Sequence, residues 1–244
     1  MKKTTIIISL AAITSLSLLQ SCNGKSQANT QMQKPATEST SNEKEDAEGK
    51  SDKLTSPEAN ATNIQNMQAA FKGETTASAK YAAYSKKAEA EGHHQIALLF
   101  LAASKSEKIH ATNHKAVIED AGQKTPAITP EFTVKTTAEN LKDAIAGESY
   151  EVSTMYPEFL KNANTAGNQL SLMSLNYAYK TEQKHKPLYE KALAALQNNT
   201  VKSLASVYYV CPTCGNTYDT SAPKRCGISM TSSEKFIKIA NLES

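Results

Sequence analysis

Tryptophan is absent from this chain of 244 residues, glycine is scarce at nine, and cysteine stands at only four positions. Sparse glycine beside abundant alanine favours helices. Neither sign of charge dominates, since 27 basic side chains meet 24 acidic ones and leave a net charge of +3. A nucleic-acid partner usually shows itself as a basic stripe, so this balance argues against one. After the N-terminus there is no long apolar run, and the mature chain therefore holds no segment that reads as a membrane span. The length allows one medium domain plus a small one.

The one long apolar run, "TIIISLAAITSLSLL", follows Lys2 and Lys3 and is too short for a comfortable membrane crossing. It ends in "LQSC", Leu19 to Cys22, which resembles a bacterial lipobox. Residues 1–22 are thus expected to be a lipoprotein signal, cut before Cys22, with Cys22 acylated; a signal peptide cut elsewhere is the alternative. The expectation is an exported bacterial lipoprotein on the periplasmic or cell-surface side, touching the membrane through its lipid alone. Residues 23–60 are rich in Ser, Thr, Asn, Gln, Lys and Glu and bury too little apolar surface to offset ordering. They read as a disordered tether that reaches roughly 35 Å.

From Thr62 apolar residues recur at helical spacing through Ile64, Met67, Phe71, Tyr81 and Tyr84, up to Gly92. A second run carries Ile96, Leu99, Phe100, Ala103 and Val117 and stops at Gly122. After a loop with two prolines, Thr136 and Glu139 have capping-box spacing and open a third run through Leu141, Ile145, Met155 and Phe159 to Gly167. The fourth holds Leu175, Ala178, Leu188, Leu193 and Leu196, with Pro187 expected to kink it. Short connections within each pair predict antiparallel neighbours, hence a four-helix bundle over residues 61–200 with one longer crossover.

Polar residues interrupt all four apolar stripes: Glu74 on the first, Glu107 and His110 on the second, Glu148 and Glu151 on the third, Glu182 and His185 on the fourth. Glu74 lies 18 residues before Gly92 and His110 lies 18 after it; Glu148 lies 19 before Gly167 and His185 lies 18 after it. At the helical rise each hairpin carries these groups about 27 Å from its turn, so all seven can share one layer. The two hairpins look duplicated, with Gly73-Glu74 matching Gly147-Glu148 and a Glu-x-x-His following each. A lone Glu-x-x-His is usually solvated or locally paired. Several carboxylates in one dry layer are different, because desolvation and repulsion oppose their ionisation unless cations neutralise them. No Lys or Arg lies on the stripes at that level. Carboxylates with a His for each metal suit two iron or manganese ions, as in ferritin-like dinuclear sites.

At these residues the chain resembles the rubrerythrins, through "AAFKGETTASAKYAAY" around Glu74 and "AGESYEVSTMYPEF" around Glu148 and Glu151. The resemblance runs from about Asn66 to the C-terminus. It implies two iron ions bridged by Glu107 and Glu182, with Glu74 and Glu148 as terminal ligands and His185 on the second metal. It further implies that Glu151 and His110 alternate on the first metal, and that Tyr81 and Tyr156 hydrogen-bond near the carboxylates. The implied activity is reduction of hydrogen peroxide to water, with an electron donor the sequence does not name. A non-catalytic iron-binding or ferroxidase-like lipoprotein built on the same bundle is the rival reading.

After Leu204 the pattern turns extended. "CPTCG", with Cys211 and Cys214, is a rubredoxin-like knuckle, and Cys226 opens a second, "CGIS". The expected architecture is thus mainly α, a ferritin-like four-helix bundle followed by a small rubredoxin-like β domain over residues 204–244. Ser229 stands where a rubredoxin has its fourth cysteine, and no spare cysteine remains. Three readings stay open: iron with Ser229 as an alkoxide, zinc on three thiolates and a water, or a Cys211–Cys214 disulfide. The resemblance also sets this domain beside the dinuclear site of a partner subunit, which implies a homodimer. His93, His94 and His114 are expected to be surface or satisfied histidines.

Overall fold

The computed structural model describes residues 56–243, so the expected signal segment, the anchor at Cys22 and the tether up to residue 55 lie outside the described residues. Helix α1, Pro57–Ala90, is capped by Ser56, whose side chain accepts from the amide of Ala59, and has proline in its first turn. It therefore starts inside the stretch read as tether. Its first turn is polar and invisible to apolar periodicity, although Ser-Pro-Glu carries the start signal. Gly92, at φ +79°, closes α1 in the left-handed conformation that glycine adopts without a Cβ clash.

Helix α2, His94–Asp120, returns beside α1. The crossover leads to α3, Thr137–Tyr150, which opens with the complete Thr136–Glu139 capping box that the spacing predicts. A five-residue π-turn, Glu151–Met155, joins α3 to α4, Tyr156–Thr165. The third rod of the bundle is thus one helix with a wide turn in its middle. Such turns insert a residue and re-aim the side chains around them, often at functional sites. Helix α5, Gln169–Gln197, is the fourth rod and stays helical through Pro187.

Two apolar clusters fill the bundle. One gathers Tyr81, Tyr84, Phe100, Leu141 and Tyr189; the other gathers Met67, Ile118, Tyr156 and Leu175. Burial of each such side chain contributes about 1.5–3 kcal/mol. In sequence the polar layer falls between them, since Glu74 separates Met67 from Tyr81 and His185 separates Leu175 from Tyr189.

Beyond α5 three short strands, β1 Tyr208–Val210, β2 Thr217–Asp219 and β3 Ile237–Ile239, form an antiparallel sheet in the order β2-β1-β3. Tyr208 pairs with Asp219 on one side and Ile239 on the other. Tyr208, Val210 and Ile239 are buried in the same cluster as Leu98 and Phe100 of α2. The small sheet is therefore seated on the bundle of its own chain. The architecture is the expected one, a ferritin-like bundle with a rubredoxin-like appendage. No helix among the described residues is long and apolar enough to cross a membrane.

Candidate metal centre

Glu74 from α1, Glu107 and His110 from α2, and Glu182 from α5 bring one ligand atom each within 4.8 Å of one another. Glu107, Glu148, Glu182 and His185 form a second such group, so Glu107 and Glu182 belong to both. The i, i+3 spacing makes this local: it puts Glu107 with His110, and Glu182 with His185, on one helix face. Glu107 turns Oε2 to Nδ1 of His110 at 2.9 Å and Oε1 to Nδ1 of His185 at 3.1 Å. Glu182 does the same, at 2.9 Å to His110 and 2.7 Å to His185. Glu74 Oε2 stands 3.6 Å from His110 Nδ1.

These atoms are close, yet they do not hydrogen-bond to one another. Both oxygens of Glu107 and Glu182, Oε2 of Glu74 and Glu148, and Nδ1 of both histidines are buried without a hydrogen-bond partner. Buried polar atoms are nearly always paired, so a set of orphans that converge on shared points is one that cations fit. The remaining oxygens of the outer carboxylates are held. Tyr81 donates to Oε1 of Glu148 at 2.8 Å, and Tyr156 donates to Oε1 of Glu74.

The far side of each imidazole is held by the knuckle domain. His110 Nε2 bonds the carbonyl oxygen of Cys214 at 3.0 Å, and His185 Nε2 lies 2.9 Å from the hydroxyl of Thr217. Ser106 donates to the carbonyl of Gly215 at 2.7 Å and Thr181 donates to that of Cys214 at 3.3 Å. Gly215 has φ +76°, and a Cβ there would sit 2.4 Å from His110 Nε2, so only glycine permits this approach.

The family model described as Rubrerythrin matches residues 65–193. The chain belongs to the rubrerythrin family. It is 30% identical over 178 residues to Rubrerythrin-2 of Clostridium acetobutylicum, covering 72% of this chain and 96% of that one. It is 31% identical over 175 residues to the nigerythrin of Nitratidesulfovibrio vulgaris, covering 71% and 84%. A solved structure of nigerythrin in its fully reduced, all-ferrous state matches with a TM-score of 0.65 at 29% identity, over 72% of this chain and 86% of that one. Rubrerythrins hold a di-iron site, and the buried carboxylate and histidine cluster fits that pair of ions.

Of the residues expected at this rubrerythrin centre, Glu74, Glu107, His110, Glu148, Glu182 and His185 come together, and Tyr81 and Tyr156 support them. Glu151 is in neither ligand group. It sits on the π-turn, near enough for the charges of Glu74, Glu182 and His110 to act on it. Without ions, protons balance the cluster. Burial pushes Glu74 up to about 7 and lifts Glu148 and Glu151 well above the carboxylate range. Burial opposes protonation of His185, but Glu107 and Glu182 overcome it and raise the imidazole to about 10. Glu182 is held well below its ordinary value by His110 and His185 despite its burial.

Within the described chain the connector 198–207 brings the chain's own knuckle beside the centre. Of the three readings left open for the knuckle, the disulfide fails, since Cys211, Cys214 and Cys226 are all free. Their sulfurs instead form a third group of metal-ligand atoms.

Sequence reasoning missed Thr217, Ser106 and Gly215 as contacts of the centre, because nothing local shows which helix a knuckle will meet. It also left His114 without a role. His114 is fully buried, with Nδ1 2.8 Å from the Ser174 hydroxyl and Nε2 3.4 Å from that of Tyr156. Burial first, then the charge of His110, lowers it to about 3 and keeps it neutral. His93 and His94 do lie at a helix start, and His94 pairs with Glu89 at the surface.

Proposed function

We propose that this rubrerythrin reduces hydrogen peroxide to water, with electrons entering through the three-cysteine knuckle. The observation that carries the reading is the hydrogen bond from His110 to the Cys214 carbonyl. It links a residue of the knuckle's metal group directly to an imidazole of the di-iron group. A protein that only sequesters iron has no use for a second metal group wired to the first, which favours turnover over the non-catalytic alternative.

When bound, the two ferrous ions supply the two electrons and the Lewis acidity that cleave an O–O bond. The chain's own residues set the stage. Glu107 and Glu182 belong to both ligand groups and would hold both ions, while Glu74 and Glu148, in one group each, would hold one apiece. Tyr81 and Tyr156 each fix one oxygen of a terminal carboxylate and leave the other free to ligate. The knuckle hydrogen bonds orient His110 and His185 so that Nδ1 points inward. Glu151, on the π-turn and outside the first group, would be the carboxylate available to replace His110 there, since an anion suits ferric iron better than an imidazole does.

Family members are often dimers, and a homodimer is part of this reading. Export on a lipid at Cys22 is proposed as well, on the strength of "LQSC". It would place peroxide defence outside the cytoplasm and require an electron donor there. Anaerobically reduced, iron-loaded protein is expected to consume hydrogen peroxide in stoichiometric amount, with the rise of ferric absorbance followed by stopped flow. Protein that keeps its iron but leaves peroxide intact supports the sequestering alternative instead.

A further inference from the structure

The knuckle domain offers three sulfurs to a tetrahedral ion, and the fourth corner is built too. The loop at Cys211 and the loop at Cys226 have the same backbone. In the first, the amide of Cys211 donates to the carbonyl of Asn216 at 3.0 Å and that of Gly215 to Cys211 at 2.9 Å. In the second, the amide of Cys226 donates to Thr231 at 2.8 Å and that of Met230 to Cys226 at 3.0 Å. The matching positions Gly215 and Met230 both have positive φ, +76° and +60°. For Met230 this is a strained conformation, and its side chain, 62% exposed, gains no burial in return. The second loop thus keeps the shape of a metal knuckle at a cost. That shape places Ser229 where Cys214 stands in the first.

Side-chain positions agree. The Ser229 hydroxyl lies 3.2 Å from Sγ of Cys211, and it interacts with Cys214 and Cys226 as well. Cys214 and Cys226 have their sulfurs 3.4 Å apart. On its other side the Ser229 hydroxyl is 2.9 Å from that of Thr231, which in turn donates to the exposed Thr213 hydroxyl at 2.8 Å. The Thr231 proton points to Thr213, which leaves the Thr231 oxygen open to the Ser229 hydroxyl. Ser229 Oγ thus stands between the Cys211 sulfur and a hydroxyl relay that ends at the surface.

We propose that Ser229 is the fourth ligand of the knuckle's metal ion, giving a site of three thiolates and one alkoxide. On binding, the Ser229 O–H bond breaks as the metal–oxygen bond forms, and the proton leaves through Thr231 and Thr213 to solvent. The three thiols lose their protons in the same event. With ferric iron the four anionic ligands leave one net negative charge, as four thiolates would. The alkoxide is the harder donor and favours the ferric state, so this knuckle holds its electron less tightly than a four-cysteine one and demands a more strongly reducing donor. Thr231, which touches Ser229 and not the ion, is a positioning residue.

The site can be tested without peroxide turnover and stands or falls independently of it. Cadmium-loaded protein gives a thiolate-rich 113Cd NMR signal well separated from that of the oxygen- and nitrogen-ligated centre. Wild type, Ser229→Ala and Ser229→Cys are expected to give three different shifts, with Ser229→Cys furthest toward the four-sulfur range. In iron-loaded protein, Ser229→Cys is expected to raise the midpoint potential of the knuckle's visible chromophore. Thr231→Val, which keeps all four ligands, is expected to shift that potential without changing the ligand set, and it carries the test if Ser229→Ala fails to fold. Identical cadmium shifts in wild type and Ser229→Ala would mean that water fills the corner and would overturn the proposal. So would a wild-type knuckle that takes up no metal at all.

Discussion

Nε2 of His110 sits 3.0 Å from the carbonyl oxygen of Cys214, two residues 104 positions apart in the chain. One imidazole thus has a nitrogen on each side of the boundary between bundle and knuckle, and the contact depends on the bare backbone at Gly215.

Gly215→Ala should therefore break the wiring while sparing both sets of ligands. The new methyl would meet His110 Nε2 at 2.4 Å and Ser106 Oγ at 2.7 Å, on a backbone with φ +76°. The strain alone is worth roughly 1–3 kcal/mol. Full metal content is expected, together with about a tenfold or greater slowing of electron transfer from knuckle to di-iron centre. Rapid-mixing spectroscopy of the knuckle chromophore measures it, and an unchanged rate would show that electrons take another route.

Metal stoichiometry separates shared ligands from terminal ones. Glu182→Ala removes a carboxylate common to both groups and should leave the bundle short of both ions, whereas Glu148→Ala strips the second group alone and should leave the first position occupied. Elemental analysis after native purification, corrected for the knuckle's ion, distinguishes the two. Equal losses in both variants would contradict the assignment of bridges.

The raised ionisations predict how stability responds to pH. Glu74 is raised to about 7 from an ordinary 4.5, and His185 to about 10 from 6.5. A group raised on folding gives stability that is complete below its unfolded value and lost as pH climbs through its folded one. Glu182, held low, and His114, lowered to about 3, take stability away only as pH falls below their unfolded values and add no slope above 6.5. Metal-free protein should thus lose stability between pH 6.5 and about 10, the span of the His185 shift, with the lowered Cys211 thiol opposing part of the loss below pH 9. Ions that displace those protons bind more tightly over the same range. The gap in Tm between loaded and metal-free protein should widen, by about 2–4 °C for each kcal/mol involved. Calorimetry across that window checks the sign, and a narrowing gap would refute it.

His114 is neutral and buried, and its Nδ1 depends on the Ser174 hydroxyl. Ser174→Ala leaves that nitrogen unpaired and should cost about 1–3 kcal/mol of stability. Urea unfolding measures the loss. A neutral result would show that water replaces the hydroxyl from the cavity, about 330 Å³, that Ser174 lines with Asn113, Val117 and Met173.

Much of the bundle was legible because it is written locally. The capping box at Thr136, the turns at Gly92, Gly122 and Gly167, and the equal distances of the ligands from those turns follow from a fixed rise and period per residue. The π-turn at Glu151–Met155 was not legible, since a widened turn obeys no distinct residue pattern. Nor was the polar start of α1 at Pro57, where the cap speaks and the apolar stripe does not.

By itself the sequence determined which side chains face the interior and at what height, because both are properties of a single helix. It also determined that serine stands at position 229, where a rubredoxin-like knuckle would carry its fourth cysteine. Only the tertiary structure decided that the knuckle rests on its own bundle, that Cys214 and Thr217 hold the two imidazoles, and that the Ser229 hydroxyl lies beside the Cys211 sulfur. Those contacts join segments far apart in the chain, and they are chosen by packing and by the need to pair buried polar groups, which no local pattern encodes.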